Sequence, residues 1–542
     1  MTLFAMLLVG LPSAPATAAG AGQARVVVRE VAGAGSAPEA LVERLGGTVG
    51  RQLGIIGGFA AAVPAPALPR LRASRLVRSV TANQAVQLNT IGGFDSKRYS
   101  SSTMYWVAQE VTGAGEYWNN GVTGRGVDVA LLDTGVVEAN GLRNGKVVYG
   151  PDLSYEADNP DLRHKDTYGH GTHMAGIIAG RDDNTPIYKG NENGFLGMAP
   201  GARVVSVKLA DHTGATDVSQ VIAGIDWVVQ NKNRNGLNIR VLNLSFGTDG
   251  VQSYQLDPLT YAVEVAWRKG IVVVVSAGNE GFGSTKLNNP AYDPHILAVG
   301  GADGAGTYDY ADDTIQSWSS RGDGTRNPDL VAPGASIVSL RDPGSTIDTD
   351  YPTARVATRF FKGTGTSQAA AVVSGAAALV LQQRPTITPN QVKKLLTNGA
   401  QRLWRADAVA QGKGMLDLKF VRDRATPSVS AAAQPFPFAT GTGSLEASRG
   451  SIHQQDQAGA VLYGEQDAFG AAWDGRRWSA SAWTGATWTG GTWSGAAFSG
   501  GAWNGQVWSG RRWSSGSWTG RRWSGSAWTA GTWSGRMWTG SF

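Results

Sequence analysis

Three short segments carry side chains that together could make a serine hydroxyl a nucleophile. Asp133 opens an Asp-Thr-Gly sequence, His170 opens a His-Gly-Thr-His sequence, and Ser367 closes a Gly-Thr-Ser sequence. Serine becomes nucleophilic when an imidazole takes its proton and a carboxylate orients that imidazole. All three residues stand beside small residues, which leaves room for close approach.

Each segment taken alone fits more than one role. Asp-Thr-Gly also occurs in aspartic proteases and in turns, and Gly-Thr-Ser is short. The pair His170 and His173, with His164 and Asp166 nearby, could instead be metal ligands. A fold without a catalytic role is the remaining alternative.

Together, and in the chain order Asp, His, Ser, the segments resemble the subtilisin-like serine peptidases across residues 100–422. The resemblance implies that Asp133 orients the imidazole, His170 is the general base and acid, and Ser367 attacks the peptide carbonyl. His170 is preferred to His173 because it is the first histidine of the motif. The implied activity is that of a serine endopeptidase made as a zymogen.

The same resemblance implies how substrate and oxyanion are held. Asn279 follows a valine-rich run and stands where the family places an amide that donates to the oxyanion, together with the backbone N–H of Ser367. Asp211–Gly214 occupies the position of one substrate-binding strand. The opposite strand is implied at three residues: Ser245, Phe246 and Gly247.

The run after the serine departs from the family, which usually continues Met-Ala-Ser-Pro-His. Here Gln368 replaces the methionine, Ala371 the proline and Val372 the histidine. The glutamine removes an oxidisable sulfur beside the nucleophile, which predicts tolerance of peroxide.

Alternating apolar and amphipathic runs predict the elements that position these residues. The alternation indicates an α/β fold with a parallel sheet flanked by helices, and the resemblance implies that this sheet is subtilisin-like. Active-site residues of such sheets lie at the carboxyl ends of strands. Predicted strands are Val127–Leu132, Arg203–Leu209, Arg240–Leu244, Ile271–Ser276 and Ile296–Val299, and predicted helices are Asp217–Gln230, Leu256–Lys269 and Ser367–Gln383.

The N-terminal region predicts export and a small separate domain. Residues 1–19 contain a short apolar run followed by small residues, as in a signal peptide, although a buried strand is an alternative. Residues 24–88 follow a β-α-β-β-α-β pattern, which indicates a ferredoxin-like α+β unit. This unit resembles the inhibitory propeptide of subtilisin-like enzymes, and an unrelated N-terminal domain is the alternative.

The C-terminal region changes composition twice. Residues 423–470 are rich in Ala, Gly, Pro, Ser and Gln and indicate a linker. Residues 471–542 form a low-complexity repeat tail in which an aromatic residue recurs every five residues and which holds thirteen of the chain's 19 tryptophans. After Gly475 this tail has seven arginines and no acidic residue, so the tail accounts for the whole of the chain's formal net charge of +6. Exposed aromatics with arginine suit contact with a cell-wall or other anionic polymer, while a packed repeat or an unstructured tail remain alternatives.

Composition limits the remaining possibilities. The chain has no cysteine, which excludes disulfides and thiolate metal sites. No cofactor is expected for catalysis, while the acidic loops could hold structural calcium, which is frequent in the family, with no ligands assigned. The expected partners are protein or peptide substrates and the propeptide as an intramolecular inhibitor, and the expected location is extracellular or at the cell envelope. A catalytically silent binding protein and an intracellular peptidase are the alternative functions.

Overall fold

The computed structural model describes most of residues 23–479. It covers 23–31, 33–53, 57–82, 102–157, 159–214, 216–282, 286–451, 453–456, 461–468, 472–476 and 478–479, with short strands in the repeat tail. The predicted signal peptide and most of the repeat lie outside the described residues. The chain divides into two compact units, Met1–Ile91 and Gly92–Phe542.

The first unit is a four-stranded antiparallel sheet with two helices. Its elements are β1 (Gln23–Glu30), α1 (Ala37–Arg44), β2 (Thr48–Leu53), β3 (Gly58–Pro64), α2 (Leu68–Arg72) and β4 (Val77–Ala82). The strand order is β2-β3-β1-β4. Alternate strand residues and one face of each helix form a small buried core of Val26, Val28, Val42, Phe59, Val63 and Leu71. The elements follow the β-α-β-β-α-β order of a ferredoxin-like unit.

The second unit is an α/β domain. Its strands are β5 (Asp128–Asp133), β6 (Val147–Asp152), β7 (Arg203–Lys208), β8 (Ile239–Leu244), β9 (Val272–Ser276), β10 (Leu297–Asp303), β11 (Thr314–Ile315), β12 (Leu330–Pro333), β13 (Ile337–Leu340), β14 (Arg355–Val356) and β15 (Phe360–Gly363). Its helices are α3 (Ala114–Trp118), α4 (His170–Ala179), α5 (Val218–Asn231), α6 (Pro258–Arg268), α7 (Thr346–Asp350), α8 (Thr366–Gln383), α9 (Pro389–Gly399), α10 (Ala408–Gln411), α11 (Leu418–Arg422) and α12 (Leu445–Arg449), with a π-helix at Tyr105–Val111. Short backbone pairs in the C-terminal region are β16 (Gln454–Asp456) with β19 (Arg511–Trp513), β17 (Ala502–Trp503) with β18 (Gln506–Val507), and β20 (Trp528–Thr529) with β21 (Thr532–Trp533).

The main sheet of this domain is parallel except at one edge. Its order is β11-β10-β9-β8-β5-β7-β6, with β12 beside β10, and only β11 pairs antiparallel. Strands β5 and β9 are buried along their whole length, as expected when both faces of a parallel sheet are covered. Helix α8, rich in alanine, packs against α4 and against the strands β8, β9, β10 and β12. The small side chains allow this close approach.

The region predicted to be a linker is part of this domain. Ala439 and Leu445 are buried, and Arg449 has no exposed surface. Trp473 and Trp478, the first two tryptophans of the repeat, pack on each other with ring centroids 5.2 Å apart, and Trp478 contacts Tyr261 of α6. The linker interpretation of residues 423–470 is therefore wrong, because its polar residues are used in hydrogen bonds and ion pairs with the domain. None of the described helices is long and apolar enough to cross a membrane.

Candidate active site

The carboxylate and the imidazole meet where β5 ends and α4 begins. Asp133 is the last residue of β5 and His170 the first residue of α4. Nδ1 of His170 lies 2.9 Å from Oδ1 and 3.1 Å from Oδ2 of Asp133, and both side chains are buried. An ionised carboxylate accepts hydrogen bonds only, so Nδ1 carries the proton, and Nε2 of the neutral ring is the basic nitrogen.

The N-terminus of α4 is fixed by a buried aspartate. Asp166 accepts hydrogen bonds from the backbone N–H of Gly169 at 2.7 Å and of Thr172 at 2.6 Å. Gly169 has a φ of 105°, and a Cβ there would lie 2.4 Å from Oγ of Ser345. Burial raises the pKa of Asp166, although hydrogen bonds from Thr134 and from the backbone act to lower it. Asp166 therefore fixes the first turn of α4, and with it the direction in which the side chain of His170 points.

Thr134 joins the end of the strand to the start of the helix. Its hydroxyl donates to Oδ1 of Asp166 at 2.6 Å and accepts from the N–H of Gly171 at 2.9 Å. A Cβ on Gly171 would lie only 2.0 Å from the carbonyl oxygen of Gly135 and 3.2 Å from Oδ1 of Asp133. The glycine after His170 is thus required for the close approach that lets the imidazole reach the carboxylate.

Strand register brings the hydroxyl to the same edge of the sheet. Leu132 of β5 lies opposite Leu244 of the neighbouring parallel strand β8, so the next residues, Asp133 and Ser245, leave the sheet side by side. Adjacent strands lie about 5 Å apart. Oγ of Ser367 donates to the carbonyl oxygen of Ser245 at 2.9 Å. The serine therefore lies at the carboxyl edge where His170 meets Asp133.

Hydrogen bonds anchor the middle of α8 to the end of β8. Oγ of Ser245 accepts from Nδ2 of Asn243 at 2.7 Å, and Oδ1 of Asn243 accepts from Oγ of Ser374 at 2.8 Å. Ser367 itself is fully buried. A hydroxyl has one proton, so transfer to Nε2 of His170 requires the O–H of Ser367 to turn away from the carbonyl of Ser245.

The amide of Asn279 is oriented by the residue before the serine. Its Oδ1 accepts from the backbone N–H of Thr366 at 2.8 Å and from the Thr366 hydroxyl at 3.0 Å. A backbone N–H can only donate, which identifies the accepting atom as oxygen and leaves Nδ2 as the donating end of the amide. The geometry suits a donor to the negatively charged oxygen that would form if Ser367 attacked a carbonyl.

Asn288 and Asn289 pack against one side of the predicted substrate-binding segment. Phe246 is 3% exposed, and a Cβ on Gly247 would lie 2.8 Å from Cβ of Asn288 and from the carbonyl oxygen of Asn289. Thr248 and Asn289 exchange backbone hydrogen bonds of 2.9 and 2.8 Å. The chain therefore needs glycine at this position to keep the segment against its wall.

The segment expected to form the opposite binding strand is a turn at its centre. Oδ1 of Asp211 accepts from the N–H of Thr213 at 2.8 Å, and the N–H of Gly214 donates to the Asp211 carbonyl at 2.9 Å. Burial raises the pKa of Asp211. Glu156 accepts from the N–H of His212 at 2.9 Å and ties this turn to the domain.

The sequence motifs predict the residues that the structure brings together at this edge of the sheet, but they do not single out the residues that orient them. Thr134, Asp166 and Thr366 are buried and bridge the elements that carry the other groups. Two of them were visible as the threonines of the Asp-Thr-Gly and Gly-Thr-Ser motifs. In the described part of the chain no three His, Cys, Asp or Glu side chains are grouped as a metal site, which gives no support to the metal-ligand alternative for His170 and His173.

Comparison with known proteins agrees with this geometry. A family model described as the subtilase family matches residues 124–430. The serine protease AprX of Bacillus subtilis (strain 168) is 36% identical over 318 residues, which are 57% of this chain and 70% of that protein. Subtilisin E of the same organism is 31% identical over 381 residues, 70% of this chain and 84% of the relative. Subtilisin Savinase of Lederbergia lenta is 33% identical over 296 residues, 54% and 90% of the two chains.

Proposed function

The chain belongs to the subtilase family and is a serine endopeptidase, and from this premise we propose that Asp133, His170 and Ser367 are its catalytic triad. The observation that carries the proposal is the buried contact of 2.9 Å between Nδ1 of His170 and Asp133, beside a serine held at the next strand end. Protein and peptide chains are the substrates.

In the acylation step Oγ of Ser367 attacks the carbonyl carbon of the scissile peptide bond. Nε2 of His170 takes the hydroxyl proton as the C–O bond forms. Asp133 keeps the ring in the tautomer that presents Nε2 and stabilises the imidazolium. Nδ2 of Asn279 and the backbone N–H of Ser367 donate to the oxyanion.

The tetrahedral intermediate then collapses and the C–N bond breaks. His170 gives its proton to the leaving amine, and an ester remains on Ser367. Water attacks this ester while His170 takes one of its protons. The C–O bond to Ser367 then breaks as His170 returns that proton to Oγ, and the acid product leaves. During both steps Ser245, Phe246 and Gly247 hold the substrate backbone as an added strand.

Labelling with a serine-directed phosphonate tests the triad. The secreted wild type should be labelled once, and Ser367→Ala not at all. Asp133→Asn should keep its fold but lose kcat by about 10⁴-fold, because the amide favours the wrong imidazole tautomer. An unreactive wild type would favour the binding-protein alternative.

We also propose that residues 1–19 direct export and that the unit of residues 24–88 is an inhibitory propeptide. The apolar run and small residues support the first point, and the ferredoxin-like element order of β1–β4 supports the second. Mass spectrometry of secreted wild type and Ser367→Ala gives the processed termini. Autocatalytic maturation predicts that the alanine variant retains the N-terminal unit, whereas an unrelated N-terminal domain would remain in both.

The tryptophan- and arginine-rich tail supports a further proposal, retention at the cell envelope through an anionic polymer. Seven arginines without acidic neighbours supply the charge and the recurring tryptophans supply stacking surfaces. The full chain should partition with cells, and a chain ending at Ser479 should partition into the medium. Equal partition of the two would overturn the retention proposal.

A further inference from the structure

A small pocket lies beside the predicted substrate segment and borders two helix N-termini. Its lining includes Val218, Val221, Phe246, Gly247, Thr248 and Leu259. Val218 is the first residue of α5, and Leu259 is the second residue of α6. The lining is mainly apolar apart from Thr216, Asp217 and Thr248, and its free volume of about 10 Å³ is that of a single water molecule, so an apolar side chain of a bound peptide fits only where these walls move apart.

The first of these helices is held by a residue more than two hundred positions away. Asp217 caps α5 by accepting from the N–H of Ser219 at 2.9 Å, and Nε of Arg449 donates to its other carboxylate oxygen at 2.7 Å. Both partners are buried. Burial acts to raise the pKa of Asp217, but the charge and hydrogen bonds of Arg449 outweigh it, so the pKa is lowered overall. Nη1 of Arg449 also donates to the carbonyl of Gly464 at 2.7 Å.

The second helix, α6, is held by Ser448, the residue that precedes Arg449 in α12. Asp257 caps α6 by accepting from the N–H of Leu259 at 2.8 Å, and Oγ of Ser448 donates to the same carboxylate oxygen at 3.1 Å. The carbonyl of Ser448 accepts from the hydroxyl of Thr248 at 2.5 Å. Asn289, which walls the substrate segment, donates to Oγ of Ser448 at 3.0 Å.

Adjacent residues of one short C-terminal helix therefore reach the capping aspartates of both helices and the substrate segment. We propose that Ser448 and Arg449 are positioning residues for this pocket, so that the segment of α12 determines selectivity for an apolar side chain on the acyl side of the scissile bond. This proposal rests on the proposed role of Ser245–Gly247 in binding the substrate.

The test compares peptide p-nitroanilides that carry leucine or alanine at each position before the scissile bond. In the wild type one position should favour leucine. In Arg449→Met and in the milder Ser448→Ala, the leucine-to-alanine ratio of kcat/KM at that position should fall by about tenfold, mainly through KM. The ratios at the other positions and labelling of Ser367 by a small phosphonate should not change. Arg449→Lys, which keeps the charge, should restore part of the ratio.

A matched control separates selectivity from general destabilisation. Arg203 pairs with the buried Asp128 at 2.7 Å, at the amino end of β5 and thus the opposite end of the sheet from Asp133. Arg203→Met should lower the melting temperature but leave every ratio unchanged. If the α12 variants are labelled normally yet behave like this control, the proposal is overturned. A wild type that the phosphonate does not label would overturn the proposed triad, and this proposal with it.

Discussion

Asn279 is oriented by the residue that precedes Ser367. Oδ1 accepts both the N–H and the hydroxyl of Thr366, the residue directly before the nucleophile. The backbone turn that presents Ser367 and the amide that would donate to the oxyanion are therefore one connected unit. A displacement of either residue changes the distance from the donor to the reacting carbonyl.

Asn279→Ala should reduce kcat by about 10²-fold to 10³-fold with little change in KM, since the donor acts on charge that develops in the transition state. This magnitude is the one known for loss of such a donor in a subtilisin. Thr366→Val is the matched control, because it removes the hydroxyl but keeps the backbone N–H and should cause a smaller loss. Steady-state kinetics on one peptide substrate distinguish the two. Equal kcat in Asn279→Ala and wild type would contradict the oxyanion role.

Gln368 leads to a prediction about inactivation by peroxide. The side chain is fully buried directly after the nucleophile, where the family usually has methionine. We expect wild-type activity to survive peroxide, and Gln368→Met to lose activity as its sulfur is oxidised to the polar sulfoxide. Met174 and Met198 are buried in both proteins, so they serve as an internal control. Equal rates of inactivation would show that another residue determines sensitivity.

Among the elements, the loop after β6 and the end of β7 are joined by a buried ion pair. Nζ of Lys208 lies 2.6 Å from Oε2 of Glu156, and Thr167 donates to the same oxygen at 2.6 Å. Lys208 lies opposite Asp133 in register. Burial acts to raise the pKa of Glu156, but hydrogen bonds from His212 and the charge of Lys208 outweigh it and lower the pKa to about 2.

The lowered pKa predicts how stability changes in acid. Above about pH 4.5 the ionised Glu156 contributes on the order of 3 kcal/mol to the free energy of unfolding, and this contribution is lost as the pH falls towards 2. Glu156→Gln should therefore melt below the parent at pH 7, and the difference should shrink at low pH. Both chains carry Ser367→Ala to prevent autolysis.

Glu116→Gln is the control for this experiment. Glu116 also pairs with a lysine, at 2.7 Å, but both side chains are more than a quarter exposed, so the pH-dependent difference should be small. A melting difference between Glu156→Gln and its parent that is constant from pH 7 to pH 2 would contradict the coupling.

Long apolar elements were predictable, while elements defined by tertiary contacts were not. Predicted strands at β5, β7, β8 and β9 and the helix α8 lie within a few residues of the observed ones, since continuous burial leaves a clear pattern. The strand β6 was missed because its middle residues are partly exposed. The turn after Asp211 was also missed, because its geometry depends on Glu156, more than fifty residues earlier.

At the scale of the whole molecule, composition misled the prediction for the C-terminal region. A segment of Ala, Gly, Pro and Gln resembles a linker, and nothing local marks Arg449 as buried. Its partner Asp217 is far away in sequence, and a charge is buried only where such a partner exists. Trp478 belongs to the core, but it stands in the same five-residue motif as the later tryptophans. The repeat itself therefore does not mark it as a core residue. The domain therefore extends at least as far as Ser479, whose carbonyl accepts from the hydroxyl of Tyr261 at 2.7 Å.

This boundary leads to a prediction about two truncations. A chain ending at Ser479 loses the three-residue pairing of β16 with β19 but retains Arg449, Trp473 and Trp478, so it should nearly keep the melting temperature and kcat/KM of the full protein. A chain ending at Pro435 leaves Asp217 buried without its guanidinium, and breaking such a pair costs about 3–5 kcal/mol. It also uncovers Tyr261 of α6. We therefore expect the shorter chain to unfold at a clearly lower temperature, measured by calorimetry in Ser367→Ala proteins. Asp217→Asn in the shorter chain should recover part of the lost melting temperature, because it removes the unpaired charge. Equal melting temperatures of the two truncations would mean that the segment of residues 436–479 contributes nothing to the fold.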